Sequence, residues 1–212
     1  MNNELREIYK ESFVLFEGAV SEITSSLDTM RRYRKANDLR DPVEHYTSRI
    51  KSLESIEEKL SRKNLSETAE DFGKIHDIAG VRVVCTYIDD VYAIADMLAT
   101  QKDIEVIAVK DYIKNPKPNG YRSYHMIVRV SVYTGEKTER IYTEIQIRTI
   151  AMDFWASLEH QLKYKHDVKK QDIIISELRR CAEEIASTEM NFQVIRDMIN
   201  EEKGTENEIT AG

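Results

Sequence analysis

The feature that most constrains this chain is a pair of period-two runs, SYHMIVRVSVY and TERIYTEIQIRT, separated by a short turn at Thr134–Gly135. Side chains of a strand alternate between its two faces, so such runs around a glycine turn predict an antiparallel hairpin. In the second run Tyr142, Glu144, Gln146 and Arg148 fall on one face, and Ile145 and Ile147 on the other. A row holding a carboxylate, an amide and a guanidinium can line a polar cleft. On periodicity alone it fits a solvated sheet face equally well.

Around the hairpin the pattern is mixed. Apolar positions recur at helical spacing over residues 3–35: Leu5, Ile8, Tyr9, Ser12, Phe13, Phe16, Val20, Ile23, Leu27 and Met30. Asp41, Pro42 and Glu44 read as the cap, first turn and capping-box acid of a second helix running to about Lys63. VRVVCTY (81–87) and IEVIAVKDY (104–112) read as strands, with a helix capped by Asp89–Asp90 between them. The segment IKNPKPNGY holds two of the three prolines and marks a break. Residues 150–166 and 171–203 read as helices, the latter with Ile174, Leu178, Cys181, Ile185, Met190, Val194 and Met198 along one side, and the tail from Gly204 as frayed. The predicted fold is α+β, a mixed sheet of about four to five strands packed with helices, plus N- and C-terminal helices. Cys85 and Cys181 have no Cys or His at metal-ligand spacing and read as packing residues.

Charge narrows the partners. The net charge of −7 argues against a general nucleic-acid coat. Locally, Lys110, Lys114, Lys117 and Arg122 face only Asp111 between residues 110 and 125, a cluster suited to a compact anion such as a nucleotide. No apolar run is long enough to span a membrane, and the charged N-terminus lacks a signal-peptide core, so a cytoplasmic protein is expected.

Three further segments carry chemistry. In IHDIAGVRVV, Asp77 can ligate Mg²⁺ and Arg82 can stack on a base or contact phosphate, or the two can simply cap and pair. In KPNGYRSYH, Tyr121 on a glycine turn can stack on a nucleobase beside phosphate-binding cations, or be a surface aromatic. In the helix predicted to reach Lys63, Lys51, Ser55, Lys59 and Arg62 form one stripe with Arg49 near its start, able to track a triphosphate or to face solvent.

Together HDIAGVR, GYRSYH and EIQIRT followed by AMDFWASLEHQLKYK resemble the small alarmone synthetases, single-domain relatives of the bifunctional RelA/SpoT enzymes, from about Arg31 to Lys165. The resemblance implies a nucleotidyltransferase-like fold and a GTP diphosphokinase that moves pyrophosphate from ATP to the 3′-hydroxyl of GDP or GTP, or of GMP. It implies that Arg49 and Arg82 sandwich the adenine, and that Lys51, Ser55, Lys59 and Arg62 hold the donor phosphates. Asp77 matches a Mg²⁺-binding carboxylate and Glu144 a second one, metal ligand or general base. Tyr121 matches the tyrosine that stacks on the acceptor guanine, with Lys117, His125, Gln146 and Arg148 at other acceptor positions.

The implied organisation is an N-terminal helix over 1–40, a catalytic domain over 41–168, an oligomerisation helix over 169–204 serving a homotetramer, and a disordered tail over 205–212. Where relatives bind activating alarmone in the tetramer cleft, Thr24, Asp28, His45 and Asp153 depart from the expected residues, which disfavours that activation. A chain of this length leaves no room for the hydrolase domain of the long enzymes, so synthesis without hydrolysis is expected. Two competing readings are a relative that pyrophosphorylates the 3′ end of tRNA and a non-catalytic nucleotide- or RNA-binding protein. The sequence leaves RNA binding open without indicating it.

Overall fold

The computed structural model describes residues 3–164 and 171–210. Five strands form one mixed sheet in the order β1-β2-β5-β4-β3. They are β1 (Val43–Ile50), β2 (Ala79–Cys85), β3 (Ile104–Asp111), β4 (Tyr124–Tyr133) and β5 (Thr138–Thr149). The helices are α1 (Asn3–Ala36), α2 (Leu53–Arg62), α3 (Ala69–Phe72), α4 (Ile88–Ala99), α5 (Ile150–Tyr164) and α6 (Gln171–Thr210). Only β2 and β5 pair in parallel; the other three ladders are antiparallel. The α+β expectation holds.

The β4–β5 hairpin forms as its alternation predicts. Thr134 N–H donates to the Lys137 carbonyl at 2.9 Å, and Gly135 adopts φ +94°, the left-handed conformation a tight turn requires. Val128, Val130, Ile145 and Ile147 point to a core covered by Ala19, Ile23 and Leu27 of α1 and Val91, Ile94 and Leu98 of α4. One face of the sheet is thereby sealed by two helices, and the polar rows of β2, β4 and β5 are left on the other.

The helix expected over 41–63 is not what forms. Residues 43–50 are the edge strand β1, antiparallel to β2 with Arg49 opposite Gly80 and Thr47 opposite Arg82. Asp41 does bind a nearby amide, accepting from Val43 N–H at 3.0 Å, but as a turn that leads into the strand. Val43, Tyr46, Thr47 and Ile50 are β-branched or aromatic, and seven backbone pairings with β2 outweigh a weak capping signal. The helix starts instead at Ser52, whose hydroxyl accepts from Ser55 N–H. Ser55, Lys59 and Arg62 therefore lie on α2, whereas Arg49 belongs to β1 and Lys51 to the connection.

Smaller differences follow the same logic. Tyr87, not Asp89 or Asp90, holds the cap position of α4, and Asp90 accepts from its N–H at 3.1 Å from within the first turn. α6 packs Leu178, Ala182 and Ile185 against Trp155 and Ala156, which rotates Cys181 outward into solvent. Cys85 is buried as expected. α6 continues to Thr210, so Gly204 does not stop it. Lys165, His166 and the expected 168/169 boundary lie outside the described residues.

Candidate active site

A cleft of about 170 Å³ opens on the polar face between β1, β2 and β5. It is lined by Thr47, Ser48 and Arg49, by Asp77, Gly80 and Arg82, and by Glu144 and Gln146. Sheet register explains the grouping: Gly80 lies beside Glu144 and Arg82 beside Gln146 across the parallel β2–β5 ladder. Along the middle of β5 the two faces alternate, so Thr143, Ile145 and Ile147 are fully buried while Glu144 and Gln146 are half-buried at the cleft.

Asp77 sits just before β2, where α2 overlooks the strand. Lys59 pairs with its Oδ2, and Lys51 Nζ lies 3.4 Å from the same oxygen. Burial pushes the Asp77 carboxyl up, but the Lys59 hydrogen bond and the charges of Lys51 and Lys59 outweigh it, holding the group below the usual carboxylate range. Its other oxygen, Oδ1, is buried with no hydrogen-bond partner among the described residues. An orphaned carboxylate oxygen costs free energy unless something binds it.

On the far side five side chains close a ring. Glu144 Oε1 lies 3.3 Å from His125 Nδ1. His125 Nε2 lies 2.9 Å from the Tyr121 hydroxyl, which accepts from Arg148 Nη2 at 2.7 Å. Arg148 Nη2 also donates to Gln146 Oε1 at 3.0 Å, and Gln146 Nε2 donates to Glu144 Oε2 at 2.8 Å. Burial pushes Glu144 up, yet hydrogen bonds from His125 and Gln146 and the charges of His125 and Lys59 bring it down to about 2. Lys117 Nζ sits over the Tyr121 ring at 4.6 Å and over the Tyr112 ring at 4.8 Å.

Most of the residues singled out by the sequence fall in or beside this cleft. Asp77, Glu144, Gln146, Arg49 and Arg82 line the cleft, and Lys51 and Lys59 pair with Asp77 at its edge. Lys117, Tyr121, His125 and Arg148 form a wall beside it with Gln146. Arg62 is exposed at the far end of α2, and Ser55 is held in the Ser52 cap. Two further residues belong to this neighbourhood: Tyr112, which had no sequence signal, and Asp153, which the sequence pointed to only as a position of the alarmone cleft. Tyr112 packs edge-on to His125 at 5.2 Å and Tyr121 at 6.0 Å. Asp153 of α5 accepts from Arg148 Nη1 at 3.1 Å and lies 3.7 Å from Arg82 Nη1, so its carboxylate faces this site. Arg122, grouped by sequence with the local cations, turns away toward α6.

The model of the region found in RelA / SpoT proteins matches residues 48–169. The chain belongs to the RelA/SpoT family. The GTP pyrophosphokinase YwaC of Bacillus subtilis is 42% identical over 84% of this chain and 85% of its own length. The crystal structure of small alarmone synthetase 1 from Bacillus subtilis bound to its product pppGpp superposes with a TM-score of 0.82 at 34% identity, covering 91% of this chain and 98% of that one. The same enzyme bound to AMPCPP gives 0.75 at 32% identity over 91% and 98%. The relatives are matched nearly end to end, so the small RelA/SpoT enzymes share this architecture as well as its central region.

The two carboxylates fit a divalent cation. Asp77 Oδ1 is unsatisfied, Glu144 is ionised, and the Glu144 charge acts on Asp77, raising its carboxyl. Mg²⁺ characteristically takes one or two carboxylates and completes its octahedron with water and substrate phosphates. Among the described residues no cluster of three or more His, Cys, Asp or Glu is arranged as a self-sufficient metal cage.

Proposed function

We propose that this chain is a GTP diphosphokinase that transfers the β,γ-pyrophosphate of ATP to the 3′-hydroxyl of GDP or GTP, and of GMP where available, giving ppGpp or pppGpp and AMP in a stringent response. The observation that carries the reading is the apposition of Asp77, held by two lysines, to Glu144, tied through His125 to Tyr121. A donor wall rich in cations thus meets an acceptor wall carrying an aromatic ring, with Asp77 and Glu144 at their junction. YwaC, named a GTP pyrophosphokinase, and small alarmone synthetase 1, with structures bound to its product pppGpp and to AMPCPP, support it.

In the reaction the 3′-oxygen attacks the β-phosphorus of ATP, the bond from that phosphorus to the α-phosphate bridging oxygen breaks, and AMP leaves. Arg49 and Arg82 line the cleft, and guanidinium groups stack on aromatic faces, which supports them as the adenine-holding pair. Lys51, Ser55, Lys59 and Arg62 are the donor-phosphate ligands, the lysines exchanging Asp77 for phosphate oxygens. Asp77 and Glu144 would hold Mg²⁺, which neutralises charge on the transferring pyrophosphate. Tyr121 stacks on guanine, and Lys117, His125, Gln146 and Arg148 hold the acceptor sugar and phosphates. A carboxyl at about 2 is a weak base, which favours Glu144 as metal ligand and hydroxyl-orienting acceptor over a strong general base. A loose phosphoryl-transfer transition state requires little prior deprotonation of the nucleophile.

The described part of α6 exposes Met190, Phe192, Val194, Ile195 and Met198, an apolar surface suited to a homotetramer through the terminal helices. No helix of the described residues is long and apolar enough to cross a membrane, and a cytoplasmic enzyme fits its nucleotide substrates.

The test is an acceptor panel. Purified protein with Mg²⁺ and labelled ATP is offered GMP, GDP, GTP or bulk tRNA. Label on a guanine nucleotide is expected; label on tRNA alone, or on nothing, refutes the reading.

A further inference from the structure

The turn that carries Tyr121 is fastened to α6 at two places. Gly120 adopts φ +89°, and a Cβ added there would fall 2.5 Å from the Ala182 Cβ and 3.1 Å from the Arg179 Cα. Loop backbone therefore lies directly on helix backbone. Two residues later, Arg122 Nη2 donates to Glu189 Oε2 at 3.2 Å, with side-chain exposures of only 12% and 7%. Trp155 fills the seam: its Nε1 donates to the Leu178 carbonyl at 3.0 Å, and its ring lies 6.4 Å from that of Tyr121.

The Arg122–Glu189 pair is poorly explained as a stabilising device. Glu189 Oε1 is buried with no hydrogen-bond partner among the described residues, so the desolvated acid is only half compensated. Buried pairs of this kind contribute little net stability compared with apolar packing, and their best-attested use is to fix register. Here the register is that of the acceptor loop. Arg122 is adjacent to Tyr121, so Glu189 sets where the backbone stands as it leaves α6 and enters β4. The Tyr121 hydroxyl must reach both Arg148 and His125 from that point.

We propose that Glu189 is a positioning residue for the acceptor: through Arg122 it locks the 117–122 turn onto α6 and so holds Tyr121 at the acceptor wall. The proposal rests on the reading of Tyr121 as the acceptor-stacking residue. It extends the acceptor site to a helix that touches no substrate, and displacement of α6 is transmitted directly to the loop.

The test combines kinetics with hydrogen exchange. Glu189→Ala should raise the KM for GDP about tenfold, the equivalent of about 1.4 kcal/mol, with the KM for ATP within about twofold of wild type. It should also speed exchange of the Lys117 and Gly120 amides, which donate within the turn. Glu189→Gln keeps an oxygen for Arg122 and should restore most of both properties. Glu177→Gln, which removes an exposed partner of Arg180 on the same helix, should behave as wild type. Should Glu189→Ala fail to fold, Arg122→Lys carries the same expectation with a smaller shift, because a lysine retains the charge without the planar fork. Wild-type GDP affinity and loop exchange in folded Glu189→Ala, or equal losses toward GDP and ATP that Glu189→Gln does not relieve, would overturn the proposal. Tyr121→Ala separates the two claims. If it leaves the GDP KM unchanged, the acceptor reading has failed. If it raises that KM while Glu189→Ala does not, only the positioning role has.

Discussion

Replacing Glu144 by Gln tests the electrostatics of the site and its chemistry together. Burial raises the folded carboxyl, but the hydrogen bonds from His125 and Gln146 and the charges of His125 and Lys59 together outweigh it, so at about 2 it lies below its ordinary 4.5. A depressed folded pKa means that Glu144 stabilises the fold fully above the unfolded pKa and loses that contribution as pH falls toward the folded value. The whole window, from above 4.5 down to about 2, corresponds to roughly 3 kcal/mol at about 1.4 kcal/mol per pH unit. Between about pH 6 and pH 3 the wild type should therefore lose about 2 kcal/mol that Glu144→Gln does not lose. Urea unfolding followed by the fluorescence of Trp155, the single tryptophan and 5% exposed, reads this directly. At neutral pH the variant should fold, since Gln can still accept from Gln146, and should make no ppGpp. Stability curves for the two proteins that run parallel from pH 6 to pH 3 would refute the ring as the source of the Glu144 shift.

Asp77→Asn should abolish transfer in a folded protein and weaken Mg²⁺ binding measured by calorimetry in the presence of a non-hydrolysable ATP analogue; synthesis near the wild-type rate would remove Asp77 from the site. Tyr121→Ala should cost about 1–3 kcal/mol in GDP binding through lost stacking, seen as a raised GDP KM with the ATP KM unchanged. Gly120→Ala should lower the thermal midpoint and the affinity for GDP together, because its Cβ overlaps Ala182 and its φ is left-handed; an unchanged midpoint would show that the loop does not lie on α6. Met190→Glu with Met198→Glu should lower the oligomeric state in sedimentation without unfolding the monomer, and an unchanged assembly would place the interface elsewhere.

The half of the site built on β5 was legible because strand periodicity is exact: Glu144, Gln146 and Arg148 had to share a face once the hairpin was accepted. The donor half was legible by residue type but not by geometry. Lys51 and Lys59 reach Asp77 because a strand turns into a helix at Ser52, not because one helix stripe carries both. The misreading came from Asp41-Pro42-Glu44, a local capping signal that lost to cross-strand pairing with β2. The ring through His125 and Tyr121, the Asp153 contacts with two arginines and the Glu189 clamp were not legible, since each joins segments whose register only the folded sheet sets.

The claim that matters most is that two phosphates move together. ATP labelled at the β phosphate and ATP labelled at the γ phosphate, each incubated with GDP, Mg²⁺ and the protein, should deliver equal label to the 3′ position of the product, with one unlabelled AMP formed per transfer. Delivery of γ label alone, or formation of ADP in place of AMP, would contradict pyrophosphate transfer and the account built on it.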